Sequence, residues 1–303
     1  MRVLLFGATG TIGRAAARAM TRRGCDVVAV ARRDPALDGA SARIADVADV
    51  RSLKRDAFRG ERFDAVVSCL ASRTGAPDDA WTIDYKAHAD ILSLAADGGA
   101  SKFVLLSASC VQKPRLAFQH AKLAFERDLA ASGLDCAIVR PTAYFKSLSG
   151  QIDRVRRGEP FLIFGDGELT RTMPISDDDL ADFLAARVTE PPRGARVLPI
   201  GGPGPAITPR DCAERLFALA GRPPRFRRVP VALFRTAATT LGGLSRVAPA
   251  LAAKAEYARI ATYYATESML VWDEEKRRYD ADATEEHGSE TLFEHYARRI
   301  AAA

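Results

Sequence analysis

Short apolar runs alternate with longer amphipathic stretches through the first half of the chain. Five runs carry no charged residue and are typical of strands buried on both faces: 3–6, 27–31, 65–70, 103–107 and 137–139. Three intervening stretches place apolar residues at helical spacing: 11–23, 81–96 and 118–131. This alternation predicts an α/β fold built on a doubly wound parallel sheet.

The alternation ends after Pro141. Residues 161–164 predict a strand that leads into a Gly-Asp-Gly turn at 165–167, and 196–200 predict one more strand. The remaining residues are largely helical in pattern. We therefore expect a sheet domain at 1–141, to which 176–200 return, and a smaller, mainly helical lobe formed by 142–175 and 203–303.

Composition and charge exclude several classes of protein. Hydrophobic residues make up 48% and charged residues 27% of the chain, which is ordinary for a soluble globular protein. The net charge is +6, but the arginines are scattered and form no long stripe, so we expect no nucleic-acid partner. The same sign of charge suits an anionic ligand, such as a phosphorylated cofactor or a carboxylate.

Cysteine and histidine usage argues against a metal. The five cysteines are widely spaced and form no Cys-x-x-Cys pair, and four histidines offer no recognisable ligand spacing. We expect reduced thiols in a cytoplasmic protein that depends on an organic cofactor. The chain opens directly into a predicted strand, which argues against a signal peptide. The apolar stretch at 229–251 is interrupted by Arg235, Gly242, Gly243, Arg246 and Pro249, which argues against a membrane span.

The sharpest chemical signal is the sequence GATGTIG at 7–13, which follows the first strand and opens the first helix. In such a loop the first glycine permits a tight turn, the second lets a pyrophosphate approach the backbone, and the third lets helix and strand pack closely. The N-terminus of the helix supplies N–H groups and a positive dipole to the anion. The spacing predicts a dinucleotide-binding Rossmann fold.

Two arginines indicate which dinucleotide is bound. The second strand ends in Arg32 and Arg33, where an NAD enzyme usually has an acidic residue for the ribose diol. Guanidinium groups suit a 2′-phosphate, so we predict NADPH, although either arginine alone is also explained as a solvated loop residue. Further along, Asp46 and Val47 are placed to meet the adenine, and residues 68–71 are placed near the nicotinamide half.

The glycine loop and the strand spacing resemble the short-chain dehydrogenase/reductase superfamily, whose usual active site has a Ser and a Tyr-x-x-x-Lys. Ser107 and Ser109 follow the fifth strand, but the tyrosine position holds Phe118 while Lys122 keeps its place. A phenyl ring cannot donate a proton, which argues against ordinary alcohol–ketone interconversion. The pattern resembles the atypical branch of NmrA-like regulators and isoflavone-reductase-like enzymes. Lys122 is then a ligand of the nicotinamide ribose, a proton donor, or only an exposed helical lysine.

Longer strings are similar to the NADPH-dependent divinyl chlorophyllide 8-vinyl reductases. They extend over nearly the whole chain and include SCLASRTG (68–75), FVLLSASCVQKP (103–114), RPTAYFKSL (140–148), FGDG (164–167), LPIGGPG (198–204) and YYATESMLV (263–271). The resemblance implies reduction of the 8-vinyl group of divinyl chlorophyllide a or divinyl protochlorophyllide a, both Mg-tetrapyrroles, to ethyl in (bacterio)chlorophyll synthesis. The conjugated macrocycle would spread the negative charge left by hydride addition, and Lys122, Ser109 or solvent would supply the later proton.

The candidate residues fall into three groups by role. Those expected to contact NADPH are Gly7, Thr9, Gly10, Thr11, Ile12, Gly13, Arg32, Arg33, Asp46, Val47, Leu70, Ala71, Ser107, Lys122, Pro141 and Thr142. Those expected to be catalytic are Lys122 and Ser109. Those expected to contact the macrocycle or its propionate are Tyr144, Phe145, Lys146, Phe161 and Arg171, although core packing is the commoner duty of an aromatic residue.

Two other functions stay open at this stage. One keeps NADPH but changes the substrate to another planar conjugated molecule, such as a phenylpropanoid or a quinone. The other is an NADP-sensing regulator that transfers no hydride, which the missing tyrosine permits. The oligomeric state and the proton donor are open as well. Residues 229–251 are explained equally by peripheral docking on a photosynthetic membrane and by a lid over the substrate.

Overall fold

A computed structural model describes residues 1–244, 248 and 251–302 of the chain. Its strands, in chain order, are β1 Arg2–Phe6, β2 Asp26–Ala31, β3 Ala40–Ile44, β4 Ala65–Ser68, β5 Lys102–Leu106, β6 Asp135–Pro141, β7 Phe161–Phe164, β8 Arg196–Gly201, β9 Phe226–Val229, β10 Val271–Asp273, β11 Arg278–Asp280 and β12 Glu285–Glu286. Eight of them form one sheet in the order β12-β8-β6-β5-β4-β1-β2-β3. The doubly wound parallel sheet expected from the sequence is confirmed.

The helices lie between these strands and after them. They are α1 Thr11–Arg22, α2 Val50–Ser52, α3 Pro77–Ala80, α4 His88–Asp97, α5 Ala117–Ala131, α6 Phe145–Leu148, α7 Ile152–Arg156, α8 Asp177–Thr189, α9 Pro209–Leu219, α10 Val231–Leu244, α11 Ala252–Thr266 and α12 Leu292–Ala301. Two π-helical segments, Leu53–Phe58 and Trp81–Ala87, extend α2 and join α3 to α4, and a 3₁₀ turn covers Ser109–Gln112. The helix expected at 81–96 therefore opens with π geometry, which is often found at functional sites.

The chain divides into two compact units. The first takes in Met1–Arg140 and Asp177–Leu198, and the second takes in Pro141–Ser176 and Pro199–Ala303. In the first unit, β4 and β5 are buried along their whole length, and β1 and β2 along all but their first residue. Such burial explains why these strands read as continuous apolar runs.

The order of the strands creates a crevice at their carboxyl ends. The chain runs from β1 outward through β2 to β3, then returns to the other side of β1 for β4, β5 and β6. Phe6 pairs with Val30 on one side and with Ser68 on the other, and Ser68 pairs with Leu105, so these strands end at one level. Ligands of doubly wound sheets bind where the strand order reverses in this way, here between β1 and β4.

The second unit has its own core. Two small sheets, β7 with β9 and β10 with β11, accompany its helices. Buried side chains of α7, α9 and α12 meet there, and Tyr296 is fully buried with its hydroxyl donating to the carbonyl of Leu148 at 2.7 Å. The expected Gly-Asp-Gly turn follows β7, with Gly165 and Gly167 both at positive φ.

The apolar stretch at 229–251 contributes α10 to the second unit. Arg246 and Pro249, which were expected to interrupt it, lie outside the described residues, whereas Arg235, Gly242 and Gly243 lie within α10. No helix in the described part of the chain is both long enough and apolar enough to cross a membrane.

Candidate active site

The glycine loop after β1 is tightly built. Gly7 has φ +79°, and its carbonyl accepts the N–H of Gly10 at 3.0 Å. A Cβ on Gly7 would lie 2.6 Å from the Cys69 carbonyl carbon, and a Cβ on Gly13 would lie 2.2 Å from the Gly7 carbonyl oxygen. Both contacts are with backbone atoms, so glycine is required for β1, α1 and the end of β4 to meet.

Gly10 is different, and it provides a test of whether the loop fits a dinucleotide. Its φ is −74°, and a Cβ there would approach only the Gly7 carbonyl oxygen, at 3.4 Å. Neither its conformation nor its packing therefore requires glycine. An anion close to the start of α1 would require it, and no acidic side chain lies in the first turn of that helix to oppose one. The loop fits a bound pyrophosphate.

The other candidate cofactor contacts in the first unit follow the neighbouring strands. Thr9 and Thr11 are exposed at the loop, while Ile12 in the first turn of α1 is buried. Arg32 and Arg33 are exposed directly after β2, and Leu70 and Ala71 follow β4. The register of the sheet thus brings these residues to the same edge of the sheet.

The loop after β3 is held in place by its own polar groups. The backbone N–H of Asp46 donates to the Ser52 hydroxyl at 3.0 Å, and the Asp46 carboxylate accepts the N–H of Ala48 at 3.0 Å. Val47 between them is buried, whereas Asp46 is exposed. A carboxylate oxygen at a fixed position can accept a hydrogen bond from an amino group such as that of adenine.

Lys122 is buried in an ion pair. Its Nζ lies 2.9 Å from Oδ1 of Asp84, and the two side chains are 10% and 0% exposed. The same Oδ1 accepts the backbone N–H of Ser72 at 3.2 Å, while Oδ2 has no hydrogen-bond partner among the described residues. The interpretation of Lys122 as an exposed helical lysine is therefore wrong. A buried carboxylate needs an opposite charge, so Asp84 fixes the ammonium group at this point.

A neutral histidine lies beside that pair. Nδ1 of His88 is 2.8 Å from the Ile83 carbonyl oxygen, which can only accept, so this nitrogen carries the proton. Nε2 therefore accepts from the Ser68 hydroxyl, also at 2.8 Å. Burial, with the charge of Lys122 as a smaller cause, lowers the pKa of His88 from 6.5 to about 4. Ser68 at the end of β4 is thereby held in one orientation.

A second buried ion pair lies one helical turn from Lys122. Glu126 is 3% exposed, forms an ion pair with Arg140, and accepts the hydroxyl proton of Ser107. Because the Ser107 hydroxyl donates its hydrogen bond to Glu126, the Ser107 oxygen can act only as an acceptor toward a ligand. Ser109 is buried at the start of its 3₁₀ turn.

The position of the usual catalytic tyrosine carries no acid. Phe118 is half-buried on α5, one turn before Lys122, and His120 is exposed. Gln119 is fully buried and holds the preceding loop, since its side chain accepts the N–H groups of Arg115 and Leu116 and donates to the Cys110 carbonyl.

The second unit contains the remaining candidates. Pro141 and Thr142 are buried, and the Thr142 hydroxyl donates to the Met173 carbonyl. Tyr144 is half-buried, and Lys146 is exposed. Phe145 and Phe161, by contrast, are 4% and 5% exposed within the core of the unit.

Arg171 is exposed, and its backbone is tied on both sides. Its N–H donates to the Ser268 hydroxyl, and its carbonyl accepts the N–H of Met269, each at 2.9 Å. The two cationic candidates, Lys146 and Arg171, therefore reach solvent, whereas the two phenylalanines pack inside the unit.

Four polar residues of this region were not among the sequence candidates. They are Asp84, His88, Glu126 and Arg140. The sequence could have indicated Glu126, because this residue lies four positions after Lys122 and therefore on the same face of α5. The pairing of Lys122 with Asp84 had no such local signal.

Acid is expected to destabilise the protein through His88. The pKa of this side chain is about 4 when folded and 6.5 ordinarily, so between these values the unfolded chain binds more protons than the folded one. The free energy of unfolding should therefore fall as the pH drops from 6.5 to 4, by about 3 kcal/mol from this group. Denaturant unfolding at several pH values measures the slope. In His88→Gln that contribution should vanish, and an unchanged slope would contradict the assignment.

Comparison with known proteins identifies the family. A family model described as NAD(P)H-binding matches residues 7–191. The chloroplastic divinyl chlorophyllide a 8-vinyl-reductase of Oryza sativa subsp. indica is 45% identical over 98% of this chain and 78% of its own length. Its counterpart from Arabidopsis thaliana is 42% identical over 99% of this chain and 77% of its own length.

A solved structure supports the fold. The UDP-glucose 4-epimerase of Thermus thermophilus, solved in complex with NAD, matches 76% of this chain and 86% of its own with a TM-score of 0.65 and 20% identity. That likeness bears on the fold alone, whereas the family rests on the sequence matches along nearly the whole chain. The chain belongs to the NAD(P)H-binding family of the divinyl chlorophyllide a 8-vinyl-reductases.

Proposed function

We propose that this protein reduces the 8-vinyl group of divinyl chlorophyllide a, or of divinyl protochlorophyllide a, to an ethyl group with NADPH. The observation that carries the proposal is the match of 98% of the chain to reductases of that name at up to 45% identity. The glycine loop, with room for a pyrophosphate beside Gly10, supports the cofactor. The reaction belongs to chlorophyll or bacteriochlorophyll synthesis.

The absence of a tyrosine acid agrees with this chemistry. When bound, NADPH would supply the hydride for the outer vinyl carbon, and the conjugated macrocycle would take up the electron pair of the double bond. A proton added to the inner carbon completes the ethyl group. Because the macrocycle spreads the charge, the protein needs positioning and exclusion of water more than a strong acid at the reacting carbon. Phe118 in place of tyrosine is compatible with that requirement.

Lys122 and the two serines are the proposed polar groups beside the nicotinamide. Asp84 holds the Lys122 ammonium in place, where it can bind the ribose hydroxyls or donate the proton. Ser107 accepts rather than donates toward the ligand, since its hydroxyl already donates a hydrogen bond to Glu126. Ser109 remains the second proposed proton donor.

Arg32 and Arg33 are proposed to select NADPH over NADH. Both are exposed at the end of β2, and a guanidinium binds a phosphate in a bidentate manner. In Arg32→Ala/Arg33→Ala we expect the KM for NADPH to rise at least tenfold, since hydrogen bonds to charged groups contribute about 1.5–3 kcal/mol each. The KM for NADH should hardly change. Steady-state kinetics with both cofactors measure the ratio, and an unchanged preference would contradict the assignment.

Residues of the second unit are proposed to hold the macrocycle. Tyr144 offers an aromatic face, and Lys146 and Arg171 offer cations for the free propionate. Phe145 and Phe161 belong to the same proposed set, and their burial favours support of that surface from the core side. We accordingly propose 1–141 with 176–200 as the NADPH-binding domain, and 142–175 with 203–303 as the substrate-binding lobe.

Anaerobic incubation with NADPH and each divinyl pigment tests the proposal. Chromatography should show conversion of the vinyl to the ethyl pigment with NADPH and much less with NADH. If the purified protein binds NADPH but converts neither pigment, vinyl reduction is contradicted. Conversion of both pigments would leave their relative kcat/KM to decide the preferred substrate.

We also propose that the protein works at the surface of a photosynthetic membrane. Its substrate is a flat apolar macrocycle, which partitions between water and lipid. A protein that docks on the lipid surface would take up the pigment and release it there without carrying it through water.

A further inference from the structure

Although lysines and arginines are scattered along the chain, most of the net positive charge falls in one stretch. Residues 226–266 contain six Lys and Arg residues and one acidic residue, Glu256, and so carry +5 of the net charge of +6. The other 262 residues together carry almost no net charge. Glu256 is itself buried and forms an ion pair with Arg259 at 2.9 Å, so this stretch exposes no carboxylate in the described residues.

The described part of this stretch forms β9, α10 and α11 of the second unit, whose exposed residues are called here the basic hairpin surface. α10 packs along α11, and Phe234 of α10 contacts Phe164 of β7 with ring centroids 5.5 Å apart. Arg227 and Arg228 are both exposed on β9, which lies beside β7 in its two-stranded sheet. The five cations that the structure describes here therefore stand on elements of the unit; they are Arg227, Arg228, Arg235, Lys254 and Arg259.

Each of the two helices also exposes large apolar or aromatic side chains. On α10, Leu233 is 62% and Leu244 is 47% exposed, and their spacing of eleven residues puts them on the same side of the helix. On α11, Tyr257 and Tyr264 are 51% and 47% exposed and seven residues apart, again on one side. Four of the large exposed hydrophobic side chains of the chain thus lie on this hairpin.

The remaining exposed positions of α10 are small. They are Ala232, Thr236, Thr239, Thr240 and Gly243, together with the cation Arg235. An exposed helix face that combines leucine with small residues, carries one cation and has no acid is unusual for a helix that faces only water.

We infer that the basic hairpin surface docks the protein on a membrane that contains anionic lipid. Exposed cations are attracted to anionic headgroups, and exposed tyrosines and leucines of the same elements can insert at the boundary between headgroups and acyl chains. A second copy of the chain is a poorer occupant, because two surfaces that both carry net positive charge repel each other. The inference extends the membrane contact proposed above and does not require that vinyl reduction be correct.

Sedimentation with vesicles tests the inference on the full-length protein with NADPH bound. Wild-type protein should sediment with vesicles of phosphatidylcholine containing 30% phosphatidylglycerol, in about 0.1 M salt, and not with phosphatidylcholine alone. Each cation near an anionic membrane contributes about a fivefold change in partition coefficient, so Arg227→Ser/Arg228→Ser should lower binding roughly 25-fold. Leu233→Ser/Tyr257→Ser should also weaken binding, and should leave the residual binding more sensitive to salt.

A matched control removes two positive charges from the first unit. Lys54 and Arg55 are adjacent and exposed, and Lys54→Ser/Arg55→Ser should bind vesicles as the wild type does. All variants should keep the wild-type affinity for NADPH, which shows that they fold. Equal loss of vesicle binding in the control and in Arg227→Ser/Arg228→Ser would overturn the inference, as would wild-type binding that does not depend on anionic lipid. A dimer abolished by Arg227→Ser/Arg228→Ser would overturn it in favour of an interface between two copies.

Discussion

Gly13→Ala is expected to lose NADPH binding and much of its stability together. The added Cβ would lie 2.2 Å from the carbonyl oxygen and 2.8 Å from the carbonyl carbon of Gly7. These are backbone atoms, so no side-chain rotation relieves the contact, and α1 must move away from β1. Overpacking of this kind costs about 3 kcal/mol at the upper end of its usual range. The first turn of α1 would also leave its place beneath the pyrophosphate, so we expect at least a hundredfold loss of NADPH affinity.

Gly10→Ala is the matched control for that result. Its Cβ would approach nothing closer than 3.4 Å, and its φ of −74° suits alanine. The free energy of unfolding should therefore change by less than about 1 kcal/mol. NADPH affinity should still fall at least tenfold, because the methyl group occupies the space of the phosphate. Denaturant unfolding and a fluorescence titration with NADPH measure both. Wild-type affinity in Gly10→Ala would contradict the phosphate position, and wild-type stability in Gly13→Ala would contradict the tight packing of α1 on β1.

The fold of the first unit was predictable because its signals are local. Strands buried on both faces contain only apolar residues, and GATGTIG marks the passage from β1 to α1 within seven positions. The predicted and observed bounds of β1 and α1 differ by one residue. The location of Arg32, Asp46 and Leu70 at one edge of the sheet was also predictable, because parallel strands end on the same side of the sheet.

The ion pairs were not predictable for the opposite reason. Asp84 and Lys122 are 38 positions apart, on a π-helical segment and on α5, and neither sequence context shows that the two side chains meet in the interior. A lysine on a helix is usually solvated, so its burial becomes evident only when α5 is placed on the sheet. The burial of the aromatic residues was not predictable either. Phe145 and Tyr144 are adjacent in sequence, and only the folded second unit shows that Phe145 is the more buried of the two.

Lys122→Met is expected to lower both the stability and the activity of the protein. It removes the ammonium group from a carboxylate that is fully buried and already has one oxygen without a partner among the described residues. Breaking a buried ion pair from one side costs about 3–5 kcal/mol, so the variant should be clearly less stable. Loss of a group beside the nicotinamide should also lower kcat/KM, by roughly 100-fold if Lys122 donates the proton. Stability and activity therefore fall together in this variant, and it cannot separate a structural from a chemical role.

The double variant Asp84→Asn/Lys122→Met separates the two roles. It removes both charges and keeps similar side-chain volumes, so most of the lost stability should return. Activity should not return if Lys122 acts on the cofactor or on the pigment, and its full recovery would assign Lys122 a structural role only. The kinetics of the double variant then distinguish the two chemical roles. A ribose contact predicts a higher KM for NADPH at nearly unchanged kcat, whereas a proton donor predicts a lower kcat at nearly unchanged KM.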